Sequence, residues 1–172
     1  GSDGGVCKLE DATTNVVTSL RNGLGITQFY GGGGNVNGGR VMGGTQDNGT
    51  LMYNLATGTS VWSTEFGSDG GFAAVDPVDP NIMYGEIQNF RIHRTLTGAS
   101  PQYIYGGTGA QSCTKPVPYQ ITDACDGTAG FIAPFILDPN NRDRLLAGGR
   151  SLWRTNDART ANTSSTGPQW AN

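Results

Sequence analysis

The sequence predicts an all-β fold, and three observations carry that prediction. Glycine supplies 28 of the 172 residues, about twice its usual share of roughly 7%. Short apolar runs are bounded by Gly, Asn, Asp and Pro, the pattern of many short strands joined by tight turns. No long segment places apolar residues at 3.6-residue spacing, which an amphipathic helix would require.

Length and charge narrow the classes further. A chain of 172 residues reads as one domain. Its 14 acids and 11 bases give a formal charge of −3, and neither sign forms a block. This argues against nucleic acid as a partner and against a basic face towards lipid. No apolar run approaches the ~20 residues of a spanning helix, so no membrane span is expected. The chain opens on Gly1 with neither Met nor a signal peptide, and reads as a processed product or an excised piece.

The elements repeat. The pentapeptide GSDGG at 1–5 returns at 67–71. "VDPVDPNIMYGEIQNFRIHRT" (75–95) aligns with "LDPNNRDRLLAGGRSLWRT" (137–155), and a looser copy is "NVNGGRVMGGTQDNGTLMY" (35–53). Each copy combines a short apolar strand with Gly-rich or polar turns, and the two closer copies open on Asp-Pro and end in a strand closing on Arg-Thr. Asp76 to Asp138 is a step of 62 residues and Thr95 to Thr155 a step of 60, with about 41 between the first two copies. Uneven periods of roughly 40–60, each holding a few strands, indicate β-propeller blades with loops of varying length.

The expected architecture is therefore a propeller segment of about three to four four-stranded antiparallel blades. Residues 1–25 read as the end of one blade, 26–66 and 67–110 as two more, and 111–172 as a last blade with a long insertion. In "FRIHRT", Phe90 and Ile92 face one way and Arg91 and His93 the other; in "SLWRT", Leu152 and Arg154 oppose Trp153 and Thr155. The Asp-Pro pairs suit strand junctions, because Pro fixes φ while Asp accepts nearby backbone N–H bonds. In GSDGG, glycines at φ > 0 and Asp3 or Asp69 would close a corner. A partial ring leaves two blade faces that need cover, so the expected partners are remaining blades or other protein subunits.

The segments "GGTQDNGT" (43–50), "GSDGGFAAVDPVDPNIMY" (67–84) and "LDPNNRDRLLAGGRSLWRTND" (137–157) resemble the bacterial sialidase-like, BNR-repeat propellers, a superfamily that includes sortilin-type domains and xyloglucanase-like glycosidases. The family's Asp-box pattern is kept only in part: Thr155 and Asp157 are present, while its Gly is missing and Trp170 lies far downstream. The resemblance implies an extracytoplasmic binding or scaffold module contacting protein or glycan. Its alternatives are part of a xyloglucanase-like glycoside hydrolase, or an accessory structural subunit of a large complex.

Candidate site residues follow from the chemistry each reading needs. "FRIH" echoes the sialidase arginine element, where a guanidinium grips a carboxylate. However, His93 replaces its proline, and Arg40, Arg94, Arg144 and Arg154 fall mostly at repeat-equivalent edges. A glycosidase needs two carboxyl groups roughly 5–10 Å apart. Asp69 resembles the Gly-rich, Asp-bearing corner that supplies one in xyloglucanase-like enzymes, yet Asp3 occupies the equivalent corner, and repetition favours a turn former. Asp69 is thus the weak catalytic candidate, and the sequence offers no second carboxylate to face it.

Binding candidates are Asp47, Asn48 and Trp170, the last as a surface for sugar stacking, while Trp62 and Trp153 are expected between blades. Calcium is the only cation the oxygens at Asp47, Asn48 and Thr50, or at Asp123 and Asp126, suggest, and neither set has EF-hand spacing; no zinc motif is present. "GGGGN" (31–35) leads into no helix and is not a phosphate loop. Asn48 and Asn162 begin N-glycosylation patterns. Cys113 and Cys125 are expected to form a disulfide closing a short loop, as in an extracellular, periplasmic or cell-surface protein. Cys7 is then left over, either buried or paired outside the chain.

Overall fold

The computed structural model describes residues 6–20, 27–58, 61–107 and 113–172. Its strands follow one another as antiparallel meanders. A hairpin pairs β1 (Cys7–Asp11) with β2 (Val16–Ser19). The first sheet runs β3 (Phe29–Asn35), β4 (Arg40–Thr45), β5 (Gly49–Asn54) and β6 (Trp62–Phe66) in sequence order. The second runs β7 (Gly70–Val75), β8 (Met83–Ile87), β9 (Arg91–Thr95) and β10 (Gln102–Tyr103). The third holds β11 (Phe135–Leu137), β12 (Leu145–Gly148) and β13 (Leu152–Thr155). Helix among the described residues is confined to α1 (Thr122–Cys125) and a 3-10 turn at Leu55–Thr57. The fold is all-β.

Two sheets have the four strands expected of a blade and the outer two do not. The amino-terminal hairpin has two. In the third sheet, Ala171 alone stands in for a fourth strand, exchanging both backbone hydrogen bonds with Arg154. The intervening stretch is rich in Thr, Ser, Gly and Pro, which favour turns over a ladder. Side-chain to backbone bonds such as Thr163 Oγ1 with the N–H of Thr166 hold it instead.

Backbone proximity governs the junction between the first two sheets. β7 lies against β3 and β4. A Cβ on Gly44 would sit 2.0 Å from the carbonyl oxygen of Gly71, and one on Gly70 would sit 2.5 Å from that of Gly49. Both positions need glycine to let two main chains meet. The GGGGN run forms β3, the first strand of its sheet, where a Cβ on Gly33 would sit 2.9 Å from the Ala73 carbonyl oxygen. Met42, Met52, Ala73, Val75 and Met83 fill the rest of this junction, and His93 stacks on Phe66 with ring centroids 4.0 Å apart.

The second junction is larger and aromatic. Tyr84, Phe90, Ile92, Ile104, Tyr105, Ile121, Phe135, Leu145, Trp153 and Trp170 form one buried cluster. Because hydrophobic stabilisation scales with the apolar surface buried, this larger cluster contributes more than the first junction. Phe90 is fully buried with φ of +65°, a left-handed conformation that costs a bulky residue on the order of 1–2 kcal/mol. Burial of the ring offsets that cost, and the Phe90 N–H donates to Glu86 Oε1 at 3.2 Å. Glu86 also accepts from the N–H groups of Ala133 (2.8 Å) and Phe72 (3.3 Å), tying β8 to β7 and to the segment before β11. Burial pushes its pKa up to about 8, against the pull of these three donors.

The two ends of the stack are open. Val41, Tyr53 and Trp62 are directly opposite one another across β4, β5 and β6, with Phe29 against Trp62 at 6.0 Å. Phe29 is 48% exposed and Trp62 45%. On the third sheet, Ile136 and Leu146 share the outward face, with Leu152 68% exposed. The β1–β2 hairpin is exposed along its whole length.

Candidate functional site

The structure brings three sequence-selected residues to one corner. The β4–β5 turn places Asp47 at φ +61° beside Asn48, followed by Gly49 at φ +80°. Asp69, just before β7, accepts the Asp47 N–H through Oδ1 at 2.9 Å, and Gly49 and Asp69 form a parallel bridge. Asn48 turns its amide to the Gln46 carbonyl. The corner at 67–71 differs from expectation in one respect: Ser68, not a glycine, takes the left-handed conformation (φ +74°). Ser68 Oγ pairs with the Gln88 amide, while Gly70 and Gly71 serve close packing. Asp3 lies outside the described residues.

This corner joins two adjacent sheets. Asp47 offers Asp69 a backbone N–H rather than a carboxyl across a cleft, so the opposed pair that glycoside hydrolysis requires is not assembled here. Asp69 acts as a cross-sheet turn acceptor, half-exposed at the rim. Among the described residues no group of three or more His, Cys, Asp or Glu side chains converges as a metal site. Asp123 and Asp126 are engaged separately. Asp123 is buried and accepts from Trp153 Nε1 (3.0 Å) and the Ser151 N–H (2.7 Å); Asp126 caps Thr128.

Trp170 is not a sugar-stacking surface. It is 3% exposed, and its Nε1 donates to the Ile104 carbonyl at 2.9 Å, because the tail after the insertion folds back into the second junction. Trp62, expected between blades, instead lies on the open face. The arginines do not converge on a common anion either: Arg40 bonds Met52 and Asn81, Arg94 bonds the Ala158 and Thr160 carbonyls, and Arg144 pairs with Asp138. Buried His93 meets Thr50 Oγ1 at 3.4 Å, and desolvation lowers its pKa to about 3. It is a junction residue.

Cys113 and Cys125 are joined by a disulfide with Cα atoms 5.4 Å apart. Cys7 is free and exposed on β1 rather than buried. Sequence reasoning missed the open aromatic face. The signal was available in the alternation of "LMY" and "VWS", whose aromatic residues fall in register once the strands pair.

No family model matches the chain, and no curated protein matches it either. Among solved structures, a GH74 xyloglucanase from Xanthomonas campestris, a β-propeller enzyme, superposes with a TM-score of 0.56 at 14% identity, covering 91% of this chain and 24% of that one. The chain thus spans about a quarter of that enzyme's length, and the likeness is one of fold.

Proposed function

We propose that this chain is a β-propeller segment acting as an extracytoplasmic binding or scaffold module, completed by further sheets. The observation that carries the reading is the open face of the first sheet, where Phe29, Val41, Tyr53 and Trp62 form a contiguous apolar patch. Such patches mark interaction surfaces, and the partner with matching shape is another twisted sheet or a flat protein surface. The Cys113–Cys125 bond fits an oxidising compartment. Hydrophobic-dye fluorescence tests the patch. The folded chain is expected to bind the dye, and a Phe29→Ser, Trp62→Ser double variant to lose most of that signal while keeping its circular dichroism. Equal dye binding by both would count against the reading.

The second reading, part of a xyloglucanase-like hydrolase, is favoured by the structural neighbour and by Asp69 at the rim. On that reading the opposing carboxylate comes from outside these 172 residues. Sugar release from xyloglucan by the purified chain, abolished by Asp69→Asn, would replace the module reading with this one; no release is expected.

A further inference from the structure

A cleft of about 510 Å³ lies beside the outer strands of the first two sheets, and its lining includes neither Asp47 nor Asp69. Phe66, Gln102, Tyr103, Lys115, Asn162 and Thr163 line it. Lys115 is one of two lysines in the chain and is only 4% exposed. Its Nζ donates to Asn162 Oδ1, and among the described residues no carboxylate lies within ion-pairing distance of it.

An ammonium has three donors, so among the described residues two of its N–H groups and its positive charge have no protein partner. Buried charges are ordinarily paired. Here burial, followed by repulsion from Arg94, lowers the lysine's pKa. Asn162 is itself fixed, since its Nδ2 donates to the Tyr103 carbonyl at 3.0 Å. That bond orients the amide and holds its oxygen on Lys115.

The other walls are of mixed character. Phe66 and Tyr103 meet edge to face at 5.0 Å and present partly exposed rings. Gln102 adds an exposed amide, while the Thr163 hydroxyl is held by the N–H groups of Ser165 and Thr166 and serves as wall. Aromatic edges beside an amide suit the apolar face and hydroxyl rim of a pyranose, and the lysine supplies the missing charge match. We propose that this cleft binds a sugar bearing a carboxylate, with Lys115 pairing the carboxylate and Asn162 positioning the lysine. The proposal goes beyond the scaffold reading and does not depend on it.

The test follows the side-chain amide signals of Asn162 and Gln102 by ¹⁵N NMR in the intact, disulfide-bonded chain, titrated separately with glucuronate, glucose and acetate. Glucuronate is expected to shift both signals saturably and about tenfold more tightly than either control, since glucose lacks the charge-assisted bond to Lys115 and acetate lacks the ring and hydroxyls that meet the other walls. Lys115→Met, which keeps the stem and removes the charge, is expected to lose that preference. No shift with glucuronate would overturn the proposal. Equal binding of acetate would reduce the site to an adventitious anion only, and equal binding of glucose would remove the role of the charge. If Lys115→Met does not fold, the three wild-type titrations decide the matter alone. If it folds and retains glucuronate affinity, the assignment fails.

Discussion

Asp76–Pro77 and Asp138–Pro139 open equivalent segments of the repeat, yet their carboxylates have different surroundings. At the turn itself they act alike, since Asp76 accepts the N–H groups of Val78 and Asp79, and Asp138 that of Asn140. Beyond that they diverge. The Asp76 side chain is fully buried, and Arg142 of the following sheet reaches it through Nε at 2.7 and 2.8 Å. Asn35 of the preceding sheet donates to its carbonyl. Asp138 has only Arg144, six residues along its own sheet, and no further sheet lies beyond it among the described residues. Turn chemistry is thus set by the local letters, while energetic weight is set by whether a neighbouring sheet arrives.

Removing the buried carboxylate should do the most damage. Asp76→Ala takes away the partner of Arg142 and the acceptor of two turn N–H groups, and is expected to cost about 2–4 kcal/mol in denaturant unfolding. Asp138→Ala should leave the midpoint close to wild type. Equal losses at both corners would refute the contrast between them. Burial works to raise the Asp76 pKa, but Arg142 and the two turn N–H groups outweigh it and hold it below the usual carboxylate range. Its stabilising contribution is therefore present above the unfolded value of 3.8 and is lost as pH falls through the folded one.

Next in size is the disulfide. Cys113 and Cys125 close a loop of 12 residues' separation that delivers Ile121 and Ala124 to the aromatic junction. Reduction is expected to cost about 2–3 kcal/mol if loop-closure entropy governs. The loss should fall on the second junction: amide exchange should accelerate at Ile104 and Leu145 but not at Met42.

Two buried groups titrate in opposite directions at the two junctions. His93, lowered to about 3, binds a proton in the unfolded chain before the folded one, so stability falls as pH drops from 6.5. Glu86, raised to about 8, holds its proton longer when folded, so stability falls as pH rises above 4.5. The two contributions roughly cancel between these values, and thermal midpoints should peak there. Glu86→Gln should flatten the alkaline side of the profile, and His93→Gln the acid side. Profiles unchanged by either variant would show that these groups are not the titrating ones.

Legibility in the sequence depends on whether a residue's role is local. The all-β class, the antiparallel meanders and the short Cys113–Cys125 closure follow from turn formers, alternation and spacing, which neighbours in sequence determine. Trp170 is not legible in this way, because its burial depends on a tail returning across an insertion to the Ile104 carbonyl. Alternation places Phe90 on the correct face, but its left-handed backbone is imposed by the second junction. The glycines at 67–71 suggest positive φ by their letters, whereas Gly70 makes room for the main chain at Gly44 and Gly49, and Gly71 for the Glu86 side chain. Lys115 carries no local signal, since its isolation from carboxylates is a fact of three dimensions.

Stability should change least at the open ends. Trp62→Ser is expected to move unfolding by no more than about 0.5 kcal/mol, as for surface positions generally, since the ring is about half exposed and lacks a neighbouring sheet. Association should change instead, if the open face of the first sheet is the contact surface proposed above. Sedimentation velocity of the 172-residue chain across a range of concentrations reads that property itself. Concentration-dependent association is expected, abolished by the Phe29→Ser, Trp62→Ser double variant without loss of fold. A cooperatively folded monomer at every concentration, sedimenting identically to that variant, would contradict the assignment of this face as a contact surface.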